Sequence, residues 1–420
     1  MIAHPNGIIK YNFRYIKIAF LKFNKDVYLV DGYKRSAIYD LKHQNLYSIS
    51  RDTRNFIIDL LENKQPANSL PNSKKELFDY LTKKNILIFC DKKHSIPSIH
   101  SLKKDFDITF AWIEVTQRCN LKCSFCYEES SPCALKRMSL KDFQLVIDRF
   151  KQANIKRIQL IGGEPLLLKN DLREMILLAR KEFDFIEVFT NGTLLSDDWC
   201  QFFKDNKIHV ALSIHSYIPK EHDKVVNQKG AHAKTIRGLK LLQKNKIKYR
   251  IATIATTNCE VGKKQEDAPY RLSPSCLRIT GRALLSLYDF ELFKNRAITK
   301  KTFSYPLNLA RVVRSISGHQ CFISRLYIDT DLNVFPCVME RRMSNGNLKK
   351  DTLKNILNHK VRFLTKDHID GCKDCEYRFA CFDCRPDSNG KGVYEKPWYC
   401  SYNPYNETWQ ELEKIYKNLG

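Results

Sequence analysis

From about Asp107 onward, short β-branched and aromatic runs alternate with amphipathic helical stretches, and that alternation restricts this part of the chain to a parallel sheet. Strands are expected at 108–115, 155–161, 185–190, 208–214 and 249–256. Helices fit between them. Ser139 caps one that carries Leu140, Phe143, Ile147 and Phe150 along a single stripe, and Ser196 caps another with Trp199, Phe202 and Phe203 turned inward. The architecture implied is a partial β/α barrel, whose reactive mouth lies where the strands end.

The chemistry-bearing residues sit at those strand ends. After the first strand comes Cys119-Asn-Leu-Lys-Cys123-Ser-Phe-Cys126, three thiols spaced by three and then two residues, with no fourth. A structural metal site closes with four ligands, whereas a centre one ligand short keeps a place for a substrate. Zinc ribbons usually pair two doublets of two-residue spacing, which this run does not do; three unrelated thiols is the other bland reading. After the second strand stands Gly162-Gly163-Glu164-Pro165. Two glycines let a backbone approach a ligand closely, a glutamate accepts from an ammonium group, and a proline stiffens the exit. Thr190-Asn191-Gly192 closes the third strand and Ser213 the fourth.

Taken together, these segments resemble the radical S-adenosylmethionine superfamily over about residues 107–260, with Phe125 at the aromatic position before the last cysteine. The resemblance implies a partial (β/α)6 TIM-like barrel over 107–310. It implies a 4Fe-4S cluster on Cys119, Cys123 and Cys126 whose remaining iron is chelated by S-adenosylmethionine. One electron then releases a 5′-deoxyadenosyl radical able to take hydrogen from an unactivated carbon. Gly162, Gly163 and Glu164 are expected at the methionine amino group, and Phe125, Asn191 and Ser213 around the rest of the cofactor. Many relatives have an acidic residue two positions after that serine. Here His215 and then Ser216 stand there, and His215 reads as a satisfied polar residue rather than a base.

A second cysteine field follows: Cys321, Cys337, Cys372, Cys375, Cys381, Cys384 and Cys400. Their order resembles the SPASM domain, placed here at 319–402 with a helix over 403–420. By resemblance Cys372, Cys375, Cys381 and Cys400 complete one auxiliary iron-sulfur cluster, and Cys321, Cys337 and Cys384 hold a second. The pattern departs from the common one in three places. Cys381 and Cys384 are two residues apart, Leu332 replaces a turn glycine, and no cysteine lies in the short stretch before Cys321, so that His319, water or a substrate thiol is left for the fourth position. The rival reading is a zinc clasp on Cys372, Cys375, Cys381 and Cys384.

Residues 1–100 read as strands over 12–49, helices at 52–62 and from Ser73 with a Ser73-Lys-Lys-Glu76 capping box, a 66–73 linker, and a last strand at 86–90. That order suits a winged-helix-like module. It resembles the peptide-recognition element fused in front of radical enzymes that modify ribosomally made peptides, which captures a leader peptide by strand addition. A plain structural extension is the alternative.

The fifteen cysteines, in a chain with no apolar run of ~18 residues and no apolar signal core in residues 1–13, read as metal ligands in a reducing cytoplasm. Cys90, Cys133, Cys200, Cys259 and Cys276 fall outside the metal spacings and are expected as small buried hydrophobes, with Cys133 or Cys259 a hydrogen donor if either reaches the barrel mouth. The formal charge of +25 favours acidic partners. It is spread along the chain without an arginine-rich cluster, so a precursor peptide and an acidic electron donor such as flavodoxin or ferredoxin fit better than nucleic acid. The expected activity is that of a peptide maturase producing a thioether or C–C cross-link or an epimerised residue. The wording of 371–386 is similar to maturases of grasp-with-spasm clusters, which implies an ATP-grasp ligase acting on the same precursor. The rivals are a sulfatase-maturase-like oxidation of Cys or Ser, nucleic-acid modification, and a non-catalytic cluster-bearing peptide scaffold.

Overall fold

The computed structural model describes residues 20–63, 72–257, 259, 270–388 and 392–418. The expected strand residues 12–19, linker residues 66–71 and the Ser73 side chain of the capping box lie outside the described part.

In the N-terminal portion β1 (Phe20–Phe23), β2 (Val27–Asp31), β3 (Ser36–Asp40) and β4 (Asn45–Ile49) precede α1 (Arg51–Glu62) and α2 (Asn72–Lys83), and β5 (Leu87–Cys90) returns to pair antiparallel with β1. Strands β2, β3 and β4 form an antiparallel meander. Ser50 caps α1 by accepting from the Thr53 amide, as its position before the apolar stripe dictates. Phe56, Ile57, Leu60, Leu61, Phe78 and Leu81 of the two helices pack on Val27 and Ile38. The opposite face of the meander is also covered. Tyr28, Val30, Ala37 and Tyr39 pack against Leu307, Val312, Ile316 and Phe379, and the Tyr39 hydroxyl donates to the Glu376 carbonyl at 2.9 Å. Each such fully buried side chain contributes about 1.5–3 kcal/mol. The module is therefore packed onto the C-terminal domain along a whole face, which the sequence did not reveal.

All five expected barrel strands form within two residues of their predicted bounds. They are β6 (Phe110–Thr116), β7 (Arg157–Gly162), β8 (Phe185–Thr190), β9 (His209–Ser213) and β10 (Tyr249–Ala255), separated by α3 (Leu140–Gln152), α4 (Asn170–Arg180), α5 (Asp197–Asp205), α6 (Pro219–Val226) and α7 (Ala231–Lys244). A short sixth strand, β11 (Pro274–Cys276), pairs parallel with β10. Ser139 and Ser196 cap α3 and α5 by accepting from the Asp142 and Trp199 amides. The apolar stripes of the helices and the outward residues of the strands form the main core, including Val115, Phe143, Phe150, Leu160, Ile176, Val188, Phe203 and Leu239.

After α8 (Phe290–Arg296) and α9 (Leu309–Ser317), β12 (Arg325–Ile328) pairs parallel with β6, and β13 (Asn333–Phe335) and β14 (Gly346–Asn347) follow antiparallel. The single sheet runs β11-β10-β9-β8-β7-β6-β12-β13-β14. The expected boundary near residue 319 thus does not separate two sheets, because the first strands of the C-terminal region extend the barrel's own edge. Leu332 in that hairpin is buried with φ +66°, the backbone of the glycine it replaces.

Candidate active site

The cysteine loop is shaped by the strand ends around it. The Gly163 amide donates to the Thr116 carbonyl at 2.6 Å and the Glu164 amide to the Arg118 carbonyl at 2.8 Å, so the end of β7 clamps the backbone that leads into Cys119. A Cβ at Gly163 would lie 2.1 Å from the Arg118 carbonyl oxygen, and one at Gly162 2.1 Å from that of Thr116. The two glycines are needed for this backbone contact, in addition to the approach to a ligand that their motif suggests. On the far side, Arg282 donates from Nε to the Cys123 carbonyl at 3.0 Å and from Nη2 to that of Ser130 at 2.8 Å. The Arg282 amide also donates to the Cys126 carbonyl at 3.0 Å.

Above the strand ends lies a cavity of about 570 Å³ lined by Cys119, Cys123, Cys126, Phe125, Gly162, Gly163, Asn191 and Ser213. The structure thus brings together eight of the nine residues expected at the radical site, counting its three cysteines. Glu164 is the correction. It is fully buried and absent from the lining, because its carboxylate accepts from the Leu166 amide at 3.1 Å, the Thr190 hydroxyl at 2.7 Å and the Asn191 amide at 2.8 Å. Its part is to fix the ends of β7 and β8 relative to one another, and burial pushes its carboxyl up to about 7. Asn191 also approaches Cys119 with its side-chain amide at 3.9 Å and donates to Asn120 at 2.9 Å.

The lining fits a polar, sulfur-bound ligand. Burial drives the Cys119 thiol up to about 12 and Cys123 still higher, so thiolates here need a positive metal centre beside them. Ser130 Oγ, Thr280 Oγ1 and His222 Nε2 are buried in the cavity wall without a hydrogen-bond partner. Those orphaned atoms are what a nucleoside with an amino acid tail would satisfy. His215 also lines the cavity, edge-on to Phe125 at 4.7 Å, and its Nδ1 accepts from the Ile254 amide at 3.3 Å. Burial lowers its pKa to about 3, so it is a neutral, partnered imidazole, as expected.

Of the scattered cysteines, Cys200 and Cys259 are buried, whereas Cys90 is half-buried and Cys133 and Cys276 are exposed. The expectation of buried hydrophobes fails for these three. Neither Cys133 nor Cys259 lines the cavity, while Cys276, at the end of β11, does. Cys276, Thr280 and Arg282 were missed because 270–283 shows neither strand nor helix periodicity, the sole cue being the glycine in Thr280-Gly281-Arg282, and His222 was missed because it sits inside α6 outside any motif.

The C-terminal cysteines gather as two groups. Cys372, Cys375, Cys381 and Cys400 line one small void with Lys366, whose ammonium stands 3.7 Å from the Cys381 sulfur. Cys337 feels the charges of Cys321 and Cys384, which makes these three the second group. Cys384 therefore falls away from the quartet, against the zinc clasp. Among the described residues no three His, Cys, Asp or Glu side chains are grouped as the donors of a single metal ion; an iron-sulfur cube is a larger body than one zinc bonded at about 2.3 Å. His319 is not a free ligand for the trio. Its Nε2 lies 3.2 Å from the Asp383 carbonyl and its Nδ1 accepts from the Cys321 amide at 3.3 Å.

A buried network joins the radical loop to the C-terminal hairpin. Tyr327 donates to Glu114, while Arg341 pairs with Glu128 and contacts the Tyr327 hydroxyl at 2.7 Å. Burial, and then the neighbouring Glu128, push Glu114 up to about 8.

Comparison with known proteins gives the same outline. Residues 113–261 match the radical SAM superfamily, and residues 321–376 match the SPASM iron-sulfur cluster-binding domain. The subtilosin biosynthesis protein AlbA of Bacillus subtilis is 35% identical over 144 residues, which is 34% of this chain and 32% of that protein, so the chain spans about a third of its length. A cysteine-type anaerobic sulfatase-maturating enzyme of Clostridium novyi is 24% identical, covering 63% of this chain and 84% of that one. The structure of Streptococcus suis SuiB bound to precursor peptide SuiA superposes with TM-score 0.53 at 14% identity, covering 90% of this chain and 99% of that one. No helix among the described residues is long and apolar enough to cross a membrane.

Proposed function

For a chain that carries a radical S-adenosylmethionine domain followed by a SPASM domain, we propose the modification of a ribosomally made precursor peptide. The observation that carries this reading is the shape of the interior. The cavity under the cysteine loop shares Trp112, Gln159, Arg250 and Arg325 with a second one of about 1090 Å³ at the opposite end of the strands, so a chain-like substrate can reach the loop along the barrel axis. Cys119, Cys123 and Cys126 would hold the cluster. Gly162, Gly163, Asn191, Ser213 and Phe125 would hold S-adenosylmethionine, with Ser130, Thr280 and His222 supplying the polar partners found orphaned. When bound, the pair supplies a 5′-deoxyadenosyl radical that takes a hydrogen atom from an unactivated carbon. Cys372, Cys375, Cys381 and Cys400 in one group, and Cys321, Cys337 and Cys384 in the other, would hold auxiliary clusters.

In this reading residues 20–90 form the leader-binding module. Strand β4 is an edge of the meander and exposed to half-buried along its length, which is what strand addition needs. The charge of +25 suits an acidic flavodoxin or ferredoxin as electron donor, an ATP-grasp ligase acts on the same precursor, and the reduced thiols belong in the cytoplasm. A second reading, oxidation of a cysteine in a sulfatase, is favoured by the length of the match to the Clostridium novyi enzyme. The N-terminal module has no evident use there.

Anaerobic incubation of the reconstituted chain with a neighbouring-gene precursor peptide, followed by mass spectrometry, tests the proposal. Loss of two hydrogens per site indicates a cross-link, and unchanged mass with a D-residue indicates epimerisation. No change in the peptide, with a sulfatase cysteine peptide oxidised instead, rules it out.

A further inference from the structure

The second cavity has a composition that the radical chemistry does not require. Arg157 of β7, Arg250 of β10, Arg311 and Arg314 of α9 and Arg325 of β12 all line it, against one carboxylate, Glu187 of β8. That carboxylate is already taken, by Nε and Nη2 of Arg250, each at 2.9 Å. Among the described residues, Arg157, Arg311, Arg314 and Arg325 have no carboxylate partner, and all but Arg314 are exposed. Three of these guanidiniums rest on aromatic faces, Arg157 over Phe185 at 4.6 Å, Arg314 over Phe106 at 4.8 Å and Arg325 over Trp112 at 5.7 Å. Arg325 also acts on Arg314 as a repelling like charge. Five cations from four separate elements thus converge on the end of the barrel opposite the cysteine loop; a thiolate at Cys321, which also lines this cavity, attracts Arg314 and Arg325 but leaves an excess of positive charge that favours an anionic occupant.

We infer that this arginine vestibule receives an acidic segment of the substrate peptide and so sets which peptides reach the cysteine loop. The inference rests on the peptide reading above and adds the charge of the substrate to it. Guanidiniums match carboxylates in planar two-point contacts, and ones held over aromatic rings are pre-oriented for them. The spacing fixes where the acidic residue stands. From Arg157 to Ile161, in the wall of the upper cavity, is four residues of β7, or about 13 Å at ~3.3 Å per residue. An extended peptide advances about 3.3–3.6 Å per residue, so the acidic residue lies about four residues from the modified one.

The test uses the reconstituted full chain and dye-labelled hexaglutamate, read by fluorescence anisotropy, with hexalysine and a single-stranded RNA hexamer as parallel probes. The Arg157→Gln/Arg325→Gln double variant is expected to raise the hexaglutamate Kd tenfold or more. A Lys141→Gln/Lys234→Gln control, which removes the same charge from exposed helix positions, stays within twofold of wild type. Should the double variant fail to fold, Arg311→Glu on α9 must produce the loss instead. Equal binding in the vestibule and control variants overturns the inference, since the affinity then reflects net charge alone. RNA bound more tightly than hexaglutamate and lost in the same variants also overturns it, in favour of a nucleic acid. A precursor modified with unchanged KM by the double variant sinks the vestibule and leaves the maturase reading intact. Vestibule-dependent hexaglutamate binding with no peptide ever modified does the reverse.

Discussion

Replacing Gly163 with alanine should disconnect the radical cysteine loop from the barrel while leaving the C-terminal cysteines in place. The added Cβ would stand 2.1 Å from the Arg118 carbonyl oxygen, 2.4 Å from its carbon and 2.8 Å from the Gln117 oxygen. All three are backbone atoms that no rotamer change can move. An ordinary carbon–oxygen contact needs about 3.4 Å, so the two backbones must separate by about 1.3 Å. That stretches the Gly163 to Thr116 and Glu164 to Arg118 hydrogen bonds, now 2.6 and 2.8 Å, past any useful length. Two lost bonds at about 0.5–1.5 kcal/mol each and an overpacking cost of about 1–3 kcal/mol give about 2–6 kcal/mol, delivered one residue before Cys119. The assay is iron and sulfide content after anaerobic reconstitution, beside the thermal midpoint. Gly163→Ala should lose one cube's worth of iron, about four atoms per chain, and melt lower. Gly230→Ala is the control: its Cβ meets nothing within 4 Å at φ +77°, so it bears only the left-handed backbone cost of about 1–2 kcal/mol and should load iron normally. Wild-type iron loading and stability in Gly163→Ala would refute the clamp.

Glu164→Gln places an amide N–H against the Asn191 N–H, costs about 2–4 kcal/mol from the lost charged hydrogen bond and unsatisfied donor, and should weaken S-adenosylmethionine binding in calorimetry through misplaced Asn191. Because burial raises the Glu164 pKa to about 7, the native chain keeps a proton that the unfolded chain sheds above ~4.3; stability falls as pH climbs from about 4.5 to 7 and is flat beyond, by about 3 kcal/mol. Denaturant melts of wild type minus Glu164→Gln should show that slope, and parallel curves would remove it. Arg341→Met leaves Glu114 and Glu128 together without their cation and should destabilise by about 3–5 kcal/mol, most strongly at high pH where both carboxyls ionise. Leu332→Gly relieves a left-handed backbone at about 1–2 kcal/mol but empties a fully buried site worth about 2–5 kcal/mol; a net loss of stability is expected, and a gain would mean that strain outweighs packing there.

Local patterns carried the barrel and the loop. The strand and helix order of 107–256, the caps at Ser139 and Ser196, the three-thiol run and the Gly162-Gly163 turn are all written in spacings of a few residues, because periodicity, capping and ligand spacing are properties of contiguous chain. The grouping of Cys372, Cys375, Cys381 and Cys400 came from the resemblance of their order to the SPASM domain, and the four line one void. What distant segments do to one another was not legible. Nothing in Arg325–Ile328 announces that it extends the sheet beside β6, nothing in Glu164 that Thr190 and Asn191 would claim its carboxylate, and nothing in five arginines spread from 157 to 325 that they share one vestibule. Such contacts join residues tens to hundreds of positions apart, so their chemistry exists only once the chain has closed. The sequence alone determined which groups this protein carries, and the tertiary structure decided which of them face one another, since pairing across the fold depends on packing and no residue encodes its distant neighbour.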